Sequence, residues 1–337
     1  MERELREPID IALPDGRLSR DAVGWARHPL HRCNLAPGLP RTHRWNHWCF
    51  TTRGHALTIT VADVGWIGLA IVSFLDFAAR SPVERVYVRP LGLGAPMPQT
   101  PRGDLVVSAR RLSLAMRARG EEMHVEGEAR TLFGRRIAID LVVERPLAHE
   151  TLNVLVPWDD ARFQFTSKQQ ALPVRGAVRV DAREYRFDRG NEAFACLDFG
   201  RGRWPSRIEW NWAFGSAVRG GRTIGFNLGG KWTDGSGVTE NGVVIDGRLH
   251  KIHDDVDFEY DARSFMAPWR IRSRGSERVD LRFTPMRERV VKLPLGLVGA
   301  ELHQLVGAFH GAFVDDGGAR VGIDDVLGLA EWFRGRW

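Results

Sequence analysis

Three carboxylates, Asp198, Glu209 and Glu240, lie in or beside the most tryptophan-rich part of the chain. Asp198-Phe-Gly-Arg-Gly-Arg-Trp-Pro205 runs almost directly into Ile208-Glu-Trp-Asn-Trp-Ala-Phe-Gly215, so Trp204, Trp210 and Trp212 fall within nine residues. A carboxyl group beside apolar rings loses solvation, its pKa rises, and it can deliver a proton near neutral pH. In a dry pocket that is the chemistry of protonating an alkene or an epoxide, with indole faces stabilising the resulting cation. Asp198 is the first candidate acid and Glu209 the second. Asn211, Asn227, Asn241 and Lys231 offer orienting hydrogen bonds. Trp45, Trp48, Lys168, Trp232 and Glu240 complete the candidate ligand-binding set. A plainer reading fits the same residues: Asp198 caps a turn or pairs with Arg201 or Arg203, and the indoles pack a core.

The elements that would position these groups are strands. From Arg207 onward large residues alternate, which puts Ile208, Trp210, Trp212 and Phe214 on one face and Glu209, Asn211 and Ala213 on the other. The same parity places Asn227 and Lys231 together, opposite Phe226, Leu228 and Trp232. Period two also marks 55–61, 121–130, 136–143, 223–229 and 279–283 as half-buried antiparallel strands. Pro14-Asp-Gly16, Asp246-Gly247 and Asp315-Asp-Gly-Gly318 read as tight turns between strands. One segment carries a helical stripe: Asp324 to Phe333, with Val326, Leu327, Ala330 and Phe333 at helical spacing, acids at its start and Arg334 and Arg336 at its end. The expectation is an all-β protein of tandem antiparallel barrels with a short C-terminal helix. A boundary near 145–160 divides it into residues 1–150 and 151–337, each long enough for a small barrel.

Composition narrows the function. The chain has 337 residues and a formal net charge of +6, with 48 basic against 42 acidic residues. Bases and acids alternate, and lysine is confined to Lys168, Lys231, Lys251 and Lys292. No continuous basic surface for nucleic acid is visible. Cys33, Cys49 and Cys196 are odd in number and lack Cys-x-x-Cys spacing, which speaks against a disulfide framework or a structural zinc. His28/His31 and His250/His253 read as ordinary histidines, and His43 and His47 flank Trp45 on one strand face. No metal and no bound cofactor is expected. The charged first residues lack a signal-peptide core, and the longest apolar run, 65–75, is too short to span a membrane. The expected setting is cytoplasmic, with peripheral membrane contact left open. The twelve tryptophans cluster around Trp45, Trp48 and Trp66, then Trp204 to Trp232, then Trp332 and Trp337.

Arg44-Trp-Asn-His-Trp48, Val61-Ala-Asp63, Phe74-Leu-Asp-Phe77, Phe165-Thr-Ser-Lys168 with Leu172-Pro173, and Leu197-Asp-Phe-Gly-Arg-Gly-Arg-Trp-Pro205 carry a family resemblance. It continues through Trp210-Asn-Trp212, Gly225-Phe-Asn-Leu-Gly229, Thr239-Glu-Asn241, Gly328-Leu-Ala-Glu331 and Arg336-Trp337. Together they resemble the bacterial domain-of-unknown-function 2804 family, which supplies no catalytic residues to carry over. More distantly, Leu197-Asp198 and Trp204 are similar to a signature of the carotenoid 1,2-hydratase and tocopherol-cyclase-like group, with Gly200 to Arg203 lengthening the gap. That likeness implies two lipocalin-like barrels and a polyprenoid ligand. Three functions follow as expectations. The first is binding of a lipid or isoprenoid in a tryptophan-lined barrel pocket. The second is a cofactor-independent hydratase, cyclase or isomerase using Asp198 or Glu209. The third is a structural or interaction module with filled interiors.

Overall fold

The alternating segments fold as antiparallel strands whose apolar parity points inward: Leu57, Ile59 and Val61 are fully buried, as are Ile137, Leu141 and Val143. The computed structural model describes residues 2–35, 42–65, 67–79, 81–90, 92, 97–295 and 298–336. Trp66, Trp337 and residues 93–96 of the Pro-rich loop lie outside the described residues.

Two curled antiparallel sheets hold nearly all of the chain. In the first, four strands from Thr42–Thr51 to Val83–Pro90 form one meander and four from Leu105–Ala109 to Arg136–Glu144 form another. They are joined through the pair Phe163–Val180 and Phe194–Arg203: the latter runs beside Thr42–Thr51 and the former beside Arg136–Glu144. The second sheet repeats the scheme. Arg207–Arg219 to Arg248–Ile252 form one meander and Val256–Glu259 to Val298–Val314 the other, with Arg320–Arg336 between them. The chain therefore passes from one sheet to the other between Arg203 and Arg207. The strands on either side of residue 150, Arg136–Glu144 and Leu152–Pro157, both belong to the first sheet.

The Asp246-Gly247 turn is a two-residue hairpin, with Ile245 opposite Arg248 and both turn residues at positive φ (51° and 80°), as a type I′ turn requires. The expected C-terminal helix is absent. Arg320–Arg336 is a 17-residue strand at the centre of the second sheet. Val326 and Ala330 face its interior while Leu329 faces the first sheet, so both faces are apolar and helical spacing mimics a two-sided strand. Asp325, at φ 50°, sits beside a register shift that displaces the parity and completes the false stripe.

Apolar side chains fill both interiors. Trp48, Phe74, Phe165 and Phe199 are among those in the first; Phe226, Trp269, Phe283 and Phe309 are among those in the second. A separate cluster of Cys49, Cys196, Trp212, Phe214, Val306 and Leu329 lies between the sheets. The aromatic wall of Trp210, Trp212 and Phe214 belongs to this seam. The expected tryptophan-lined hollow inside a barrel is thus corrected: the alternation was right, but the wall faces the other sheet and not its own interior.

Candidate functional site

Register aligns two polar rows at one level of the seam. In the first sheet Lys168 is opposite Asp198, Asp198 opposite His47, and His47 opposite Thr60, on four adjacent strands. In the second, Gly229 is opposite Trp212, Trp212 opposite Glu331, Glu331 opposite Gln304, and Gln304 opposite Arg289. Cross-strand partners share a face, so each row presents its side chains together. The rows meet: Lys168 Nζ lies 4.8 Å from the Trp212 ring centre, and the His47 ring packs edge-on against Trp212 at 5.9 Å.

Lys168 is the charged centre. Its Nζ forms ion pairs with Asp198 Oδ1 at 2.9 Å and Glu240 Oε2 at 3.0 Å. Burial disfavours the ammonium, but the two carboxylates outweigh burial and raise its pKa. Burial pushes the Glu240 carboxyl up, only partly offset by Lys168 and by the Trp232 Nε1 bond to Oε1 (2.6 Å). Trp212 Nε1 donates to Asn227 Oδ1 (2.7 Å), and Asn227 Nδ2 donates to the Glu240 carbonyl (2.6 Å).

Glu331 is the seam's acid. Trp210 Nε1 donates to its Oε1 (2.8 Å) and Gln304 Nε2 to its Oε2 (3.1 Å), yet burial dominates and lifts its pKa to about 7. His47 is held neutral, its pKa pushed down to about 4 by burial. Its Nδ1 pairs with Thr60 Oγ1 (2.7 Å) and its Nε2 is buried without a partner. At the end of the rows a cavity of about 270 Å³ opens between the sheets, lined by Thr58, Ser73 and Leu75 on one side and Arg289, Gln304 and Leu329 among others on the opposite side.

The glycine at 229 makes room for this arrangement. A Cβ there would fall 1.9 Å from Glu240 Oε1. Gly229→Ala should therefore displace Glu240 and cost about 1–3 kcal/mol, the usual penalty for overpacking. Thermal unfolding checks this, with tryptophan fluorescence reporting the broken Trp232 bond; an unchanged midpoint would contradict the packing described.

The sequence-derived candidates divide between the seam and other places. Asp198, Lys168, Trp210, Trp212, Asn227, Trp232 and Glu240 come together there. Trp204 packs edge-on against Trp210 (5.7 Å) and Trp45 against Trp204 (5.0 Å), extending the aromatic layer. Trp48 points the opposite way, into the first sheet's interior. Asn211 is buried on the second sheet's inner face, its Nδ2 3.5 Å from the Glu331 carbonyl. Glu209 is 38% exposed and bonded to Lys231 and to Trp332 Nε1. Burial works against its charge, but those bonds prevail and hold its carboxyl below the ordinary range. Parity paired Asn227 with Lys231 and set Trp232 opposite. Instead Lys231 adopts φ 70° just past its strand, which turns it out toward Glu209 and brings Trp232 back to Glu240. Sequence reasoning gave no site role to Gln304, to Glu331 (present only in the Gly328-Leu-Ala-Glu331 segment of the resemblance) or to His47, seen only as a neighbour of Trp45 on its strand face. The signal for Glu331 was its place between Leu329 and Phe333 in a period-two pattern. Among the described residues no group of three or more His, Cys, Asp or Glu side chains could hold a metal ion.

Two curled antiparallel sheets in tandem, with packed interiors and a polar seam, define an all-β protein of the tandem lipocalin-like type. The chain belongs to the domain-of-unknown-function 2804 family, whose profile matches residues 2–337. Among solved structures it is similar to a candidate AttH protein of Nitrosomonas europaea, at 13% identity and TM-score 0.51, covering 87% of this chain and 92% of that one. It is also similar to CghA in complex with Sch210972, at 16% identity and TM-score 0.51, covering 88% of each chain. These likenesses show the fold. No curated protein matches the chain by sequence. Among the described residues no helix is long and apolar enough to cross a membrane.

Proposed function

We propose that the seam binds a small organic molecule with an apolar body and a polar end. The observation that carries this reading is the alignment of two buried polar rows beside a cavity of about 270 Å³ with a mixed lining. That volume lies just below the lower bound of usual ligand sites, roughly 300 Å³. Leu75, Val306 and Leu329 suit an apolar body, while Gln304 and Arg289, the latter held by Glu84 at 2.7 Å, suit its polar end. The complex of CghA with Sch210972 supports the idea that this architecture accommodates a bound small molecule. A second reading, cofactor-independent lyase or isomerase chemistry, is favoured by one observation. Glu331 is a buried carboxyl whose pKa of about 7 lets it hold a proton at neutral pH and release it to a substrate.

The test is organic extraction and mass spectrometry of protein purified from its own host, paired with farnesol titration followed by tryptophan fluorescence. A co-purifying small molecule and saturable quenching at roughly micromolar farnesol are expected. Ser73→Phe, which fills the cavity, should weaken the quenching about tenfold. Empty protein, with no saturable response to farnesol or to a medium-chain fatty acid, would overturn the reading.

A further inference from the structure

A second cavity, of about 250 Å³, lies away from the seam's polar rows, where the chain leaves the Arg136–Glu144 strand. Its lining includes Arg102, Arg145, His28, His149 and Gln169, and among the described residues no carboxylate. Arg145 is 2% exposed. Its Nη2 donates to the Pro101 carbonyl (3.0 Å) and to Gln169 Oε1 (2.8 Å), while Nε is buried without a partner. Its guanidinium lies 5.7 Å from the Trp48 ring centre. Arg102, half-buried, reaches the Arg145 carbonyl through Nη2 (3.1 Å), which brings the two cations close together.

A comparison inside the same sheet shows what is missing. Arg201 is equally buried, and among the described residues also lacks a carboxylate partner, yet it places five hydrogen bonds on the Pro98, Trp45 and Gly200 carbonyls and on Asn46 Oδ1. Carbonyl groups that saturate a guanidinium make such burial tolerable; Arg145 has no such set. A buried charge is retained when it is paired, and a guanidinium presents its donors in a fork that matches a planar or tetrahedral oxyanion. The nearby acids are engaged elsewhere: Glu121 accepts from the Leu147 backbone N–H, and Glu150 pairs with Arg27.

We propose that this cavity is an anion-binding site in which Arg145 and Arg102 clamp the carboxylate or phosphate group of a small ligand. His149 is a wall of the site and not a charge in it, because its Nε2 is spent on the Gln170 carbonyl and burial lowers its pKa. His28, exposed at the rim, is positioned to meet the ligand's outer end.

The test is thermal unfolding and calorimetric titration of the full chain at constant ionic strength, with inorganic phosphate, acetate and chloride as probes. At about 10 mM, phosphate or acetate should raise the midpoint by roughly 2 °C or more over chloride, as expected for an anion bound only by the native state. A response to phosphate alone assigns a phosphate ligand, and one to acetate alone a carboxylate. Arg102→Gln, at a half-exposed position, should weaken binding about tenfold without changing the fold, and Arg145→Gln should abolish it. Equal midpoints in all three salts, or an anion response that Arg102→Gln leaves intact, would overturn the proposal. The second result stands even if Arg145→Gln does not fold.

Discussion

Lys168→Met should destabilise the protein by about 3–5 kcal/mol at neutral pH, because it leaves Asp198 and Glu240 facing each other in the seam with no cation. Urea unfolding of the variant measures it. The loss should shrink in acid, where Glu240, its carboxyl already pushed up by burial and now without its cation, takes up a proton. A neutral set, Lys168→Met with Asp198→Asn and Glu240→Gln, should recover most of the stability, since a buried charge cluster replaced as a whole is often close to neutral in cost. A loss below about 1 kcal/mol for the single variant would mean that water reaches the cluster and that the seam is not dry.

Glu331→Gln should change the pH dependence of stability by about 3 kcal/mol. The native carboxyl titrates at about 7 against an ordinary 4.5. Between those values the unfolded chain has lost its proton and the folded chain has kept it. The unfolded state then binds fewer protons, so this group's contribution falls as pH rises from 4.5 and levels off above about 7. His47 acts in the opposite sense. Its folded pKa, about 4, lies below the ordinary 6.5, so its contribution is complete above 6.5 and is lost as pH falls through 4. The two windows overlap, and the wild-type curve alone does not separate them. The difference between Glu331→Gln and wild type does: it should climb in favour of the variant from pH 4.5 to about 8. A constant difference would show that Glu331 titrates as an ordinary surface carboxyl.

The sequence made the strands legible because one face of each is polar or small. In 55–61, 121–130 and 136–143 the alternation named the inward residues correctly. It failed where both faces are buried. Arg320–Arg336 lies between two strands and between two cores, so its apolar residues follow no single period, and Glu331 disappeared into an imagined helix. The tryptophan wall was legible as a face, but parity does not say what a face looks at, and a second sheet was the answer. Lys168 and Glu240 were chosen from the right segments, while their pairing depends on strands far apart in sequence and on Gly229 yielding space. Lys231 escaped because one left-handed residue ended the parity that placed it.

The joining strands of the first sheet bear on how this molecule is made. Thr42–Thr51 finds its outer neighbour in Phe194–Arg203, and Arg136–Glu144 finds its own in Phe163–Val180. During synthesis on the ribosome the two early meanders emerge with these edges bare, each a template for stray pairing. The Arg136–Glu144 edge stays bare until residue 180 has been added and the Thr42–Thr51 edge until residue 203, so the nascent chain passes through a long interval in which a holdase, or speed, must guard it.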